Sequence, residues 1–187
     1  MLQRLVEAPP RTVRSTSDDA LFLFTDGACE PVEGSLTGSV TSVGAVLVDA
    51  FGRGLAFFGL NVPKFVTDAW GGDYRQQLVF EAEVMPYLLA LLLWAEVMRG
   101  RHVIVFIDND GARHSWIAGT ADSVYSRAMI HKGTLREAAL EVAPYFARVP
   151  TASNIADGPS RLDYEMCLRI GARQTLVPND VLRQCLS

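Results

Sequence analysis

The 187 residues read as an α/β protein, a five-stranded mixed sheet flanked by helices. Three observations carry that reading. Leu21 to Phe24 and His102 to Ile107 are apolar on both faces and stop at an acidic residue, as buried central strands do. Val43 to Val48 and Leu55 to Leu60 are joined through Phe51-Gly52-Arg53-Gly54, a hairpin signal. A Leu-rich stretch from about Gln77 to Arg99, closed by Gly100, then has the length of a helix.

Taken in order, residues 1–19 are polar, with Pro9-Pro10 and a Ser/Thr run, and suit a flexible arm or linker. The first strand ends at Asp26-Gly27, and residues 28–42, rich in Gly, Ser and Thr, read as a long loop. The glycines of the hairpin are no dinucleotide loop, because no helix follows them. Residues 61–75 read as a further loop, with Pro63 and Gly71-Gly72. Pro86 belongs in the first turn of the Leu-rich helix or kinks it, so the helix could start as late as Glu83. After the His102 strand, a short helix is expected over Ala112 to Ile117. Thr134-Leu135-Arg136-Glu137 is a capping box that opens a helix toward Val142. Tyr145 to Val149 is the fifth strand, and a terminal helix occupies the Asp157 to Arg169 region. The domain is expected to span 20–175, with 176–187 as a C-terminal tail.

Composition excludes several classes. At 49% hydrophobic and 20% charged residues the chain is ordinary for a globular protein. Three cysteines (Cys29, Cys167, Cys185) make no disulfide framework and no CxxC zinc pair, which fits a reducing, intracellular setting. No apolar leader stands at the N-terminus. The longest apolar run, Val84 to Ala95, has twelve residues between Glu83 and Glu96, short of the roughly twenty that span a bilayer. Net charge is −4, from 17 basic and 21 acidic residues, which alone argues against a generic nucleic-acid binder.

The chemistry gathers at the carboxyl ends of the two central strands, where ligand sites of open α/β sheets lie. Asp26 and Asp108, brought side by side there, would repel unless a cation sat between them. Oxygen donors without a Cys/His cluster favour Mg²⁺ or Mn²⁺. A third carboxylate should come from the start of the Leu-rich helix. Glu81 and Glu83 compete for that place, and they point roughly 200° apart, so one of them can face the site. Asp157, where the chain turns out of the last strand, is the fourth candidate. Each alone has an ordinary explanation as a turn former, a cap or a helix-dipole partner.

The ordered set LFLFTDGACE, VGAVLVD, QLVFEAEVMPYLLALLLW, VIVFIDNDGAR and RVPTASNIADGPSRLD resembles the ribonuclease H family. More narrowly, it is similar to the ribonuclease H-like domain that follows reverse transcriptase in retroelements. The resemblance covers about 20–163, and Asn154-Ile155-Ala156-Asp157-Gly158-Pro159-Ser160-Arg161 is its most specific motif. It favours Glu83 over Glu81, because the family's Ala-Leu and Trp follow at the distances seen to Ala90-Leu91 and Trp94.

The resemblance implies a metal-dependent endoribonuclease that hydrolyses the RNA strand of RNA–DNA hybrids and leaves 5′-phosphates. Asp26, Glu83, Asp108 and Asp157 would hold two Mg²⁺ ions, or Mn²⁺ as a substitute, about 3.5–4 Å apart. Asp26 would bridge both ions, Glu83 and Asp108 would serve the leaving-group ion, and Asp157 the water-side ion. Gln77, Asn109 and Arg113 are the expected substrate contacts, with RNA selected through its 2′-OH groups. A neighbouring reverse transcriptase domain would be the natural partner, holding the hybrid. The four ligands account for the whole −4.

Three departures qualify the expectation, one of them the lack of a dense basic substrate-binding extension, since Arg113, Arg127, Lys132 and Arg136 are interleaved with Asp122, Glu137 and Glu141. The family's loop histidine has no counterpart in 149–154, so slower or Mn²⁺-preferring cleavage is expected. Ala112-Arg113 also sits one residue nearer to Asp108 than the family pattern has it. The competing readings are a DNA-directed nuclease of the same fold, a resolvase or exonuclease, and a catalytically degenerate scaffold. Ala28, where an exonuclease would carry the Glu of an Asp-x-Glu pair, counts against that class.

Overall fold

The computed structural model describes residues 20–31, 39–71 and 78–186. Strands β1 (Leu21–Pro31), β2 (Ser39–Val48) and β3 (Gly54–Asn61) form an antiparallel meander. Strands β4 (His102–Ile107) and β5 (Ala143–Arg148) extend the sheet in parallel from β1, and a two-residue β6 (Arg173–Gln174) pairs with β3. The order is β5-β4-β1-β2-β3-β6. The two doubly apolar segments are therefore adjacent and parallel, in the middle of a mixed sheet.

Helices α1 (Lys64–Ala69), α2 (Val79–Leu93) and α3 (Ala95–Met98) lead into β4, and α4 (Asp110–Ala118) and α5 (Val124–Leu140) separate β4 from β5. After β5 come a 3₁₀ turn (Thr151–Ser153), α6 (Asp157–Ser160), α7 (Glu165–Arg169) and α8 (Asn179–Gln184). Every residue of α2 from Glu81 to Leu91 is buried, because it lies between the sheet and α5. A helix apolar on all sides belongs in that middle position. The main core joins Leu21, Leu23, Val43 and Phe58 to Tyr87, Leu88 and Met129, and it takes in Leu182 and Cys185 from the chain's end. A smaller cluster on the other sheet face packs Val46, Val48 and Phe57 against Ala156 and Cys167.

Several elements differ from the sequence reading. The expected 28–42 loop is partly sheet, since β1 runs on through Asp26-Gly27 to Pro31 and β2 begins at Ser39. Pairing with a neighbour sustains a strand whose composition alone suggests a loop. The expected 61–75 loop holds α1, six residues long, with Val66 buried; so short a helix has no periodicity to read. Pro86 stands in the interior of α2. Thr134 opens nothing, because α5 passes through it and its hydroxyl donates to the Ile130 carbonyl at 3.1 Å. The terminal helix is two short helices, and the sixth strand is too brief to show in sequence.

Candidate metal centre

The parallel pairing of β1 with β4 ends at Thr25 opposite Ile107, so Asp26 and Asp108 follow at one level. Glu83 comes from the second turn of α2, which can approach because β1 carries Gly27 there. A Cβ on Gly27 would lie 2.4 Å from the carbonyl carbon and oxygen of Ala82 and 2.6 Å from the Glu83 nitrogen. Pro86 deprives that Ala82 carbonyl of its helical N–H partner four residues on. Backbone thus meets backbone, and the Glu83 carboxylate joins the aspartates. Oxygens of Asp26, Glu83 and Asp108 all lie within 4.8 Å of one another.

This concentration of charge has the expected electrostatic effect. Burial pushes the Glu83 carboxyl up to about 9, with the charges of Asp26 and Asp108 adding and the Gly27 N–H opposing. Burial likewise raises Asp26 to about 6, opposed by the Ser160 hydroxyl and reinforced by Asp108 and Asp157. Glu83 Oε2 and Asp108 Oδ1 are buried and have no hydrogen-bond partner among the described residues. Buried polar atoms are nearly always partnered, and a shared cation would satisfy both. Three carboxylates with no nitrogen or sulfur donor suit a hard ion such as Mg²⁺ or Mn²⁺.

Asp157 lies outside this cluster. It is near enough for its charge to raise Asp26, but its Oδ1 accepts from Arg161 Nε at 3.0 Å. The chain is led to it by Asn154, buried, whose Nδ2 donates to the Thr25 carbonyl at 3.0 Å and whose Oδ1 accepts from the Ala156 N–H at 3.2 Å. Helix α6 then lies directly on the sheet. A Cβ on Gly44 would be 2.3 Å from the Ser160 nitrogen, and one on Gly59 would be 2.1 Å from the Pro159 carbonyl oxygen.

No protein-family model and no curated protein matches the chain. Solved structures do. Ribonuclease H1 of the halophilic archaeon Halobacterium salinarum NRC-1 matches with TM-score 0.53 and 17% identity, over 76% of this chain and 95% of that one. LC11-RNase H1, solved in complex with an RNA/DNA hybrid, matches with TM-score 0.52 and 15% identity over 79% and 99%. The foamy viral protease-reverse transcriptase in complex with RNA/DNA hybrid gives TM-score 0.57 and 12% identity, over 84% of this chain and 22% of that longer one. The fold is ribonuclease H-like.

Within this ribonuclease H-like fold, several expected site residues have local partners. Asn109 caps α4, its Oδ1 accepting from the Ala112 N–H at 3.0 Å. Arg113 pairs with Asp110 at 3.1 Å. Gln77 lies outside the described residues. Glu81 is buried facing α5 and accepts from the Ser123 hydroxyl at 2.5 Å, so it is Glu83 that reaches the aspartates.

Three groups around these carboxylates escaped the sequence reading. Ser160, fully buried, donates its hydroxyl to Asp26 Oδ2. Thr151 donates to Asp108 Oδ2 at 2.9 Å. Arg161 joins Asp157 to Glu30. Ser160 and Arg161 stood in the quoted Asn154 to Arg161 motif, whereas nothing near Thr151 in sequence points to Asp108. Among the described residues no helix is long and apolar enough to cross a membrane.

Proposed function

We propose that this protein is a metal-dependent endoribonuclease acting on the RNA strand of RNA–DNA hybrids. The observation that carries the proposal is the convergence of Asp26, Glu83 and Asp108, with one oxygen each of Glu83 and Asp108 buried and unpartnered. Asp26, Glu83 and Asp108 would hold a first Mg²⁺ or Mn²⁺, and Asp157 would complete a second position beside Asp26. Divalent ions bound there supply Lewis-acid polarisation of the phosphodiester and lower the pKa of an attacking water. Ser160 and Thr151 hold Asp26 and Asp108 in orientation, as hydrogen-bonded partners of metal ligands do. Arg113, Asn109 through its amide, and Gln77 are the proposed contacts to the hybrid. The likeness to ribonucleases H1 and to a viral reverse transcriptase supports this substrate and a retroelement setting beside a polymerase domain.

The test is cleavage of a labelled RNA–DNA hybrid in Mg²⁺ and in Mn²⁺. Single-stranded RNA, double-stranded RNA and double-stranded DNA run beside it, with Asp108→Asn as control. Metal-dependent cutting of the hybrid alone, lost in the variant, is the expected result. Cutting of DNA alone moves the assignment to a DNA-directed nuclease. Folded protein inactive in both metals would refute catalysis by the isolated chain and favour the scaffold reading.

A further inference from the structure

Arg161 makes a contact that a simple four-carboxylate centre does not require. It follows α6, four residues after Asp157, and its guanidinium joins two carboxylates from different elements. Nε donates to Asp157 Oδ1 at 3.0 Å, and Nη1 donates to Oε1 of Glu30 on β1. Glu30 is four residues from Asp26 along the same strand, so both side chains lie on one face of the sheet. The planar fork suits such two-carboxylate bridging in a way that a lysine ammonium does not. The fourth carboxylate is therefore already engaged by a cation of the chain itself. The cluster of Asp26, Glu83 and Asp108 is assembled without it.

We infer that Arg161 is a positioning residue that makes metal loading sequential. The ready-made carboxylate cluster takes the first ion, and the second ion must win Asp157 from the guanidinium. The inference rests on the reading above that Asp157 is a ligand. The two ions then bind with unequal affinity, and occupancy of the second responds to anything that draws Arg161 away. A nucleic-acid phosphate arriving at the site is one such group, since an arginine can give a phosphate two parallel N–H bonds where it gives Asp157 and Glu30 one each. Substrate binding would thereby help to complete the centre.

Calorimetric titration of Mn²⁺ into the full chain tests this without any cleavage step, with circular dichroism confirming that each variant is folded. The wild-type protein should show one tighter and one weaker site. Arg161→Gln should tighten the weaker site by about two- to fivefold, the range set by an exposed ion pair, and move the tighter site, which feels Arg161 only through its charge on Asp26, by clearly less. Arg161→Lys keeps the charge but loses the fork, and it should move the weaker site in the same direction. Glu30→Gln leaves the guanidinium to Asp157 alone and should weaken that site. An unchanged weaker site in Arg161→Gln overturns the inference. So does an equal shift of both sites with Arg161→Lys behaving as wild type, which is the signature of general charge. Wild-type protein that binds no Mn²⁺ would overturn the metal-centre reading itself.

Discussion

The approach of α2 to β1 at Gly27 is the contact on which the centre depends most directly, and Gly27→Ala tests it. The added methyl would sit 2.4 Å from the carbonyl carbon and oxygen of Ala82, both backbone atoms of a helix buried on all sides. No flexible side chain can swing aside, so the strain must be relieved by moving the helix. Overpacking of a core costs about 1–3 kcal/mol, and this contact belongs at the upper end. For a chain of this size about 3 kcal/mol lowers the melting temperature by roughly 6–12 °C. The displaced helix carries Glu83 with it, so Mn²⁺ affinity should fall by roughly tenfold or more. Gly52→Ala is the control. Gly52 has φ 79° with open space around it, so the left-handed backbone costs about 1–2 kcal/mol and metal affinity stays as in the wild type. Thermal denaturation and Mn²⁺ titration on both variants give the answer. A Gly27→Ala protein melting within about 2 °C of wild type, with unaltered Mn²⁺ affinity, would refute the close-approach argument.

Two further outcomes are expected. In EDTA, the folded-state values of about 6 for Asp26 and about 9 for Glu83 lie above the ordinary 3.8 and 4.5. The folded protein therefore keeps protons that the unfolded chain has already released, and its melting temperature should fall as pH rises from about 4 toward 9. Mg²⁺, binding the ionised carboxylates of the folded state, should raise the melting temperature more at pH 8 than at pH 5; a metal-independent, flat profile would contradict this. Ser160→Ala removes a hydroxyl donor from a buried carboxylate, which should cost about 1–3 kcal/mol and loosen Mn²⁺ binding. Chemical denaturation at neutral pH, with and without Mn²⁺, measures both, and a variant unchanged in either respect would show that Asp26 does not need this partner.

Much of this protein was legible in the residue order because the physics involved is local. Apolarity on both faces marked Leu21 to Phe24 and His102 to Ile107 as central strands, and an acidic residue after each marked their shared end. The Phe51-Gly52-Arg53-Gly54 turn announced its hairpin, which appears as the antiparallel pairing of β2 and β3. Periodicity and composition could not choose between Glu81 and Glu83, both of which are buried. The choice depends on which backbone each one meets: Glu81 faces the start of α5 at Ser123, and Glu83 passes Gly27 to reach Asp26. The same limit explains the capping-box expectation at Thr134. Its Glu137 carboxylate is engaged by Tyr87 Oη at 3.0 Å, fifty residues away in sequence, and α5 continues through the motif because packing against α2 stabilises it.

What only the tertiary structure decided are the contacts between groups remote in sequence. Ser160 on Asp26 spans 134 residues, Thr151 on Asp108 spans 43, and Arg161 to Glu30 spans 131. A hydrogen bond or ion pair of this kind depends on distance and direction in space, set by sheet register and by glycines that admit a helix. Residue order carries the donors and acceptors themselves, and the packed fold decides which of them meet.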